Sequence, residues 1–405
     1  MKRMPQAPPI RPPALWWLVL MVLLAGLNLR PLLTTLGTNL ELIRVDLGLS
    51  STLIGALAAI PTLCMGLVSL AGGWVITRLG VGAGMRLALL LIAVGCVLRW
   101  AGDWLPMLAL ATALAGLGIA CGQVLIPVVI KRYFPSRAAL MMGGYTTAMN
   151  LGAALGALAA PLAISTLGSW QASLAIWALP ALLAALLWPG RLRVFTEDGP
   201  AGVPWRSALG WRMALFLGTG SLAYMTLLAW LVPLYMALGL TQEQGGAMLV
   251  AYTAAQIAGA LLVPPVAQLQ PDRRPALALT LALLSLGLAG LCWAPTWGGA
   301  SWVVLAGFGL GGSFPLALTL PLDYAHTPTE AGRLSAMVLG FGMLMGSFGP
   351  LLFGVLRDGF GFSAALIFLL LATVASFLLG LTFRPPNRDR SGTGPLTVDV
   401  KEISP

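Results

Sequence analysis

The sequence predicts an all-α membrane protein, with twelve transmembrane helices in two pseudo-symmetric six-helix halves. Three observations predict it. Of 405 residues, 58% are hydrophobic and 9% charged, far from the quarter of charged residues usual in soluble domains. Apolar runs long enough to cross a hydrocarbon core about 30 Å thick recur along the whole chain. The basic residues behind a net charge of +10 fall in the tails, between those runs or close to their ends, with one exception, Arg30.

The runs lie at 15–40, 51–76, 84–101, 104–130, 138–166, 170–188, 211–237, 244–267, 275–294, 301–322, 334–356 and 363–383. The first follows Lys2, Arg3 and Arg11, as a secretory signal would, but it is too long, carries Arg30 and lacks a small-residue cleavage site. It reads as mature structure. Only Gly102 and Asp103, a tight turn, separate the third and fourth runs. With the N-terminal tail 1–14 inside, nineteen basic residues share the inner side against Arg44, Arg99 and Arg357 outside. That asymmetry places both termini in the cytoplasm. Trp16, Trp17, Trp100, Trp104, Trp170, Trp188, Trp211 and Trp302 stand near run ends, as an interfacial aromatic belt requires.

Residues 15–188 and 211–383 form the halves, and 189–210, with Glu197, Asp198, Gly199, Pro200 and Pro204, forms a cytoplasmic linker. Each half has a comparable join between its fourth and fifth runs, Phe134-Pro135-Ser136-Arg137 in one and 327–333 in the other, the weak internal symmetry of duplicated secondary transporters. The tail 384–405, rich in Gly, Ser, Thr and Pro among mixed charges, reads as disordered.

Several function classes lose their footing. A nucleic-acid partner would need a basic patch with interleaved aromatics, and the charges lie in loops instead. Cys64, Cys96, Cys121 and Cys292 are scattered through apolar runs without ligand spacing, so they read as small buried hydrophobes, and no metal or cofactor is expected. No HExxH, GxSxG, Walker loop or intramembrane carboxylate pair supports an enzyme. His326 falls in a cytoplasmic loop, where a surface position outweighs proton coupling. Glycines such as Gly116, Gly118, Gly122, Gly152, Gly156, Gly309, Gly311 and Gly346 suit close helix packing. Pro31, Pro61, Pro127, Pro233, Pro315 and Pro350 bend or break their runs.

Arg30, in Leu27-Asn28-Leu29-Arg30-Pro31, lies roughly 22 Å in from Leu15 at about 1.5 Å per residue. A guanidinium at that depth costs from about 3 to more than 10 kcal/mol unless it faces a partner or a watered cavity. No acidic residue falls inside any of the twelve runs. Either carbonyls freed by Pro31 and neighbouring Asn or Tyr side chains satisfy Arg30, or its partner is a transported anion; the missing counter-ion favours the anion. Asn28 shares its run, while Asn150 and Tyr224 reach a similar depth, roughly 20 Å from the cytoplasmic surface. Gln123, Tyr145, Tyr252 and Gln256 lie nearer one face. Amides and phenols hold an anion without adding charge, though for each singly interhelical hydrogen bonding is an equal reading. Trp230 and Phe314 are the aromatics expected beside the cavity.

The Asn-x-Arg-Pro stretch, the twelve runs and the central linker together resemble the major facilitator superfamily, and within it the cyanate transporter family, which also includes a 2-nitroimidazole exporter. The resemblance rests on 27–37 (LNLRPLLTTLG), 60–66 (IPTLCMG), 89–99 (LLLIAVGCVLR), 129–134 (VIKRYF), 307–323 (GFGLGGSFPLALTLPLD) and 354–357 (GVLR), in both halves. It implies a transporter that alternates access to a central site. The superfamily's loop motif between spans two and three reads Gly-x-x-x-Asp-Arg-x-Gly. Here Gly73, Arg78 and Gly80 match it, but Thr77 stands where the acid belongs. The lock which that acid provides is therefore missing, and the absence of membrane carboxylates weakens proton symport.

The expected function is transport of a small monoanion, cyanate-like by resemblance, across the bacterial inner membrane, with Arg30 as the central anion-binding residue. Efflux of 2-nitroimidazole-like drugs in the same fold is an alternative, with Tyr224, Trp230 and Phe314 stacking a flat ring. A membrane sensor or scaffold that binds without transporting is an alternative of another class. The expected partners are a small anionic substrate and the lipid bilayer, with the protein a monomer.

Overall fold

The structure is a computed structural model that describes residues 12–71, 78–189, 192, 203–269, 272–325 and 327–383. The predicted tails, the linker's acidic stretch, Gly73 and His326 lie outside the described residues. Among the described residues the regular elements are helices. Eleven stretches are long and apolar enough to cross a membrane. The last, Glu330–Gly380, has 51 residues, about 75 Å at 1.5 Å per residue, which is too long for one crossing. Gly361 divides it: with φ 83° and ψ 179°, it takes a backbone conformation essentially reserved for glycine. Among the described residues the spans therefore number twelve.

Span one is broken, Pro12–Asn28 and Pro31–Asp46. Spans two to five are Ser51–Leu70, Val81–Leu98, Leu105–Tyr133 and Ala138–Leu167. Span six is also broken, Trp170–Ala175 and Ala178–Leu187. Spans seven to ten are Ala208–Ala237, Gln242–Gln268, Arg274–Trp293 and Ser301–Tyr324. Residues 328–360 and 362–380 form spans eleven and twelve. Local signals set the ends: Ser50, Ser169, Ser207, Thr241 and Thr327 cap their helices through side-chain oxygens, which satisfies amides that the first turn leaves free.

Several helices run a turn or two past their apolar runs. Span one ends at Asp46 and not near residue 40, so Glu41 and Arg44 are helical, as are Arg357 and Asp358. This corrects the expectation that no acid enters a span. The reason is pairing across the bundle, which hydropathy does not register.

The two halves meet along helix pairs whose backbones nearly touch. A side chain at Gly37 in span one would strike the Leu228 carbonyl in span seven; one at Gly55 in span two would strike the Pro350 carbonyl in span eleven; and one at Gly354 would strike the Ser51 carbonyl. Span five approaches span eight where Gly246 meets the Ala157 carbonyl. Helices in lipid gain little from burying apolar surface, so close contact through small residues is what joins them.

Candidate functional site

The site is built on the break in span one. Pro31 has no N–H to donate and its ring crowds the carbonyl four residues back, so the helix stops at Asn28 and restarts at Pro31. Leu29 N–H turns back to the Gly26 carbonyl at 3.1 Å, and the Arg30 carbonyl accepts from Leu33 and Thr34 at 3.0 and 3.3 Å. Span five backs the break. The Leu27 carbonyl and Pro31 lie against Gly152, Pro31 and Thr34 against Gly156, and any side chain at either glycine would collide with them.

Arg30 is 9% exposed and points from the first half to the second. Its Nη1 donates to the Tyr224 hydroxyl of span seven at 2.6 Å, and the guanidinium carbon lies 5.1 Å from that ring's centroid. Nε has no acceptor. Among the described residues no carboxylate bonds to Arg30. Tyr145 of span five packs on Gly26 and lies close enough to feel the Arg30 charge. Tyr252 of span eight is 1% exposed, neighbours Tyr224, and its hydroxyl has no partner. Two tyrosines from two helices thus lie beside the cation, and a third neighbours the tyrosine that bonds to it. On the Glu41 side of this group, a small apolar cavity is lined by Leu33, Leu36, Gly37, Ala58, Met225, Leu228 and Ala229.

The other expected residues divide. Asn28 is buried, and its amide donates to the Leu24 carbonyl of its own helix at 2.8 Å, finishing the first half of span one. Asn150, Gln123 and Gln256 are half-buried. Phe314 lines a separate small cavity within the second half, with Phe216, Leu217, Leu281, Ser313 and Ser376. Trp230 belongs to another cluster: its indole N–H donates to the Pro350 carbonyl at 3.0 Å and its ring stacks on Phe353, centroids 5.4 Å apart. The structure therefore joins neither aromatic to Arg30. Arg78 is exposed, and Gly80, at φ 64°, caps the start of span three.

Two features escaped sequence reasoning. The first is a polar seam between the halves at the Glu41 end. Arg357 pairs with Glu41 at 2.9 Å and lies 5.3 Å from the Trp230 ring and 4.3 Å from that of Phe362. Asp358 accepts from the Ser51 and Thr52 amides at 2.9 and 2.7 Å, capping the start of span two from the opposite half. Gln242 donates to the Thr38 carbonyl and to Asn39 Oδ1. The two short acid-base groups in the sequence near 41–46 and 357–358 were the available signal. The second is Arg99, expected at the outer surface, near the end of its run. It is 1% exposed, donates to Thr112 at 3.3 Å, and leaves Nε and Nη1 without partners among the described residues. The turn after span three is so tight that a 3-10 segment, Arg99–Ala101, folds the side chain inward.

The family model described as Major Facilitator Superfamily matches residues 15–347 and 214–402. The chain belongs to the major facilitator superfamily. This facilitator is 35% identical over 374 residues to the cyanate transport protein CynX of Escherichia coli, covering 91% of this chain and 97% of that one. It is 33% identical over 350 residues to a 2-nitroimidazole transporter of Escherichia coli, covering 84% and 88%. Among solved structures it resembles a D-xylose-proton symporter, with a TM-score of 0.74 and 17% identity over 91% of this chain and 98% of that one. It also resembles a bacterial homologue of the human lysosomal transporter Spinster, with a TM-score of 0.72 and 14% identity over 93% and 97%. At those identities the solved structures speak for the fold. The facilitator is a multi-pass membrane transporter of a small molecule and not an enzyme, and the sensor-or-scaffold alternative gives way to that assignment.

Proposed function

We propose that this facilitator carries a small cyanate-like monoanion across the bacterial inner membrane by alternating access, with Arg30 as the residue that holds the anion midway. The observation that carries this reading is the Arg30 side chain: a buried guanidinium at the boundary between the halves, bonded to a neutral phenol and to no acid. A permanent cation in that position favours an anion over a neutral or cationic cargo. Tyr224 bonds to it and Tyr145 lies within range of its charge, so the neighbours it has are neutral polar groups that leave the charge to the cargo. The CynX likeness, which spans nearly the whole chain, supports cyanate as the cargo.

With both termini cytoplasmic, the Glu41–Arg357 and Asp358–span two contacts close the periplasmic end. Units 15–188 and 211–383 then rock about the Arg30 level, joined by 189–210. The direct test is uptake of labelled cyanate into proteoliposomes containing the purified protein. Saturable uptake above that of protein-free vesicles supports the reading; no difference removes it.

A second reading, efflux of 2-nitroimidazole-like drugs, has one observation in its favour, the 33% identity to a 2-nitroimidazole transporter. The two readings differ in what Arg30→Lys does. A compact anion accepts an ammonium point charge, whereas a nitro group gripped by two N–H bonds loses its fork. Retained flux in that variant favours the compact anion.

A further inference from the structure

The bond from Arg30 to Tyr224 crosses the boundary between the halves, since Arg30 lies in span one and Tyr224 in span seven. Arg30 is always charged, and a carrier that binds its cargo through such a residue must also bring the site back without cargo. That return step normally leaves the guanidinium buried with no acceptor, which is costly, and the cost turns a carrier into an obligatory exchanger. Here the chain supplies its own acceptor. The Tyr224 oxygen accepts a hydrogen bond from Nη1 at 2.6 Å, a charge-assisted bond by its length. Two further donors, Arg30 Nε and the hydroxyl of Tyr252, which neighbours Tyr224, lack partners among the described residues and stay available to an anion.

We propose that the Tyr224 hydroxyl stands in for the anion during the return step, so that the protein runs as an electrogenic facilitator and not as an obligatory exchanger. This rests on Arg30 being the anion site. The charge balance follows directly. With a monoanion on Arg30 the moving site is neutral, and with neutral Tyr224 on Arg30 it carries one positive charge. Net transport therefore moves one negative charge per cycle, while exchange of anion for anion moves none. Tyr252 contributes a donor to the loaded site but does not replace the anion on Arg30, so it serves as the control.

The experiment compares two modes in proteoliposomes of the full chain: net uptake of labelled cyanate into vesicles without cyanate, and counterflow into vesicles preloaded with unlabelled cyanate. Wild-type protein should perform both, and an inside-positive potential set with potassium and valinomycin should accelerate net uptake but not counterflow. Tyr224→Phe should lower the ratio of net uptake to counterflow by about tenfold or more, the scale set by one hydrogen bond to a charged group. Tyr252→Phe should lower both modes by one common factor. The proposal is overturned if Tyr224→Phe leaves the ratio unchanged, if wild-type protein shows counterflow without net uptake, or if the potential affects both modes alike. Wild-type protein that moves cyanate in neither mode overturns the anion assignment of Arg30, a separate failure that takes this proposal with it.

Discussion

Arg30 and Arg99 are both guanidiniums inside the bundle with no carboxylate partner among the described residues, yet their settings differ. Arg30 lies between the halves and reaches a tyrosine of the opposite half. Arg99 is enclosed within the first half beside spans three and four, where it donates to Thr112. A buried charge left with free donors is a stability cost, and replacing such a group with an apolar one of similar volume is often neutral or stabilising by about 1–4 kcal/mol. Arg99→Met is accordingly expected to keep transport and to hold or raise the melting temperature in detergent. Loss of flux with an unchanged melting temperature would give Arg99 a functional role instead. For Arg30, the apolar sequence around one charge and a proline was enough to single it out. Arg99 was not legible, because its burial depends on a 3-10 turn that composition does not encode. Trp230 was misplaced for a similar reason: depth along a span is readable, but the face a side chain takes and the partner it meets are not.

At the scale of one element, span one is organised by Pro31. The proline opens the helix, the opening frees the Leu27 carbonyl, and the glycines of span five make room for it. Pro31→Ala would return an N–H that can close the helix across Leu27, rotating Arg30 away from Tyr224. A displacement of about 1 Å can cost on the order of a hundredfold in rate, so flux should fall on that scale while the protein stays monodisperse. Gly152→Val acts on the other side of the same contact. Its side chain would meet the Leu27 carbonyl, and overpacking of that kind costs about 1–3 kcal/mol, which a thermal melt in detergent would register as a lower transition temperature. An unchanged melt would mean that the two spans do not approach as described. The spans themselves were legible from apolar runs, whereas Gly361, whose backbone only glycine takes readily, stood out only in the structure. The helix ends were not, since Glu41, Arg357 and Asp358 continue their helices by pairing with each other's half.

For the whole molecule, the seam at the Glu41 end holds the halves together through a few polar contacts. Asp358 is the strongest candidate for a latch, because it accepts three hydrogen bonds from Ser51 and Thr52 and its negative charge sits at the positive end of span two. Asp358→Asn should loosen that end. A single cysteine at Ala229→Cys, beside the small apolar cavity and in a background where the four native cysteines are replaced by serine, would report it. Labelling by a membrane-impermeant thiol reagent applied from the side of the Glu41 end should rise severalfold in the Asp358→Asn variant. Equal labelling with and without the substitution would assign the latch elsewhere, with Glu41 and Arg357 next to test.

All of this depends on Arg30 holding the cargo. The most direct measurement is labelled cyanate flux in proteoliposomes made from wild-type protein and from Arg30→Ala protein, both monodisperse and equally inserted. The expected result is saturable flux for the wild type and the rate of protein-free vesicles for the variant. Flux at the wild-type rate in Arg30→Ala would contradict the account.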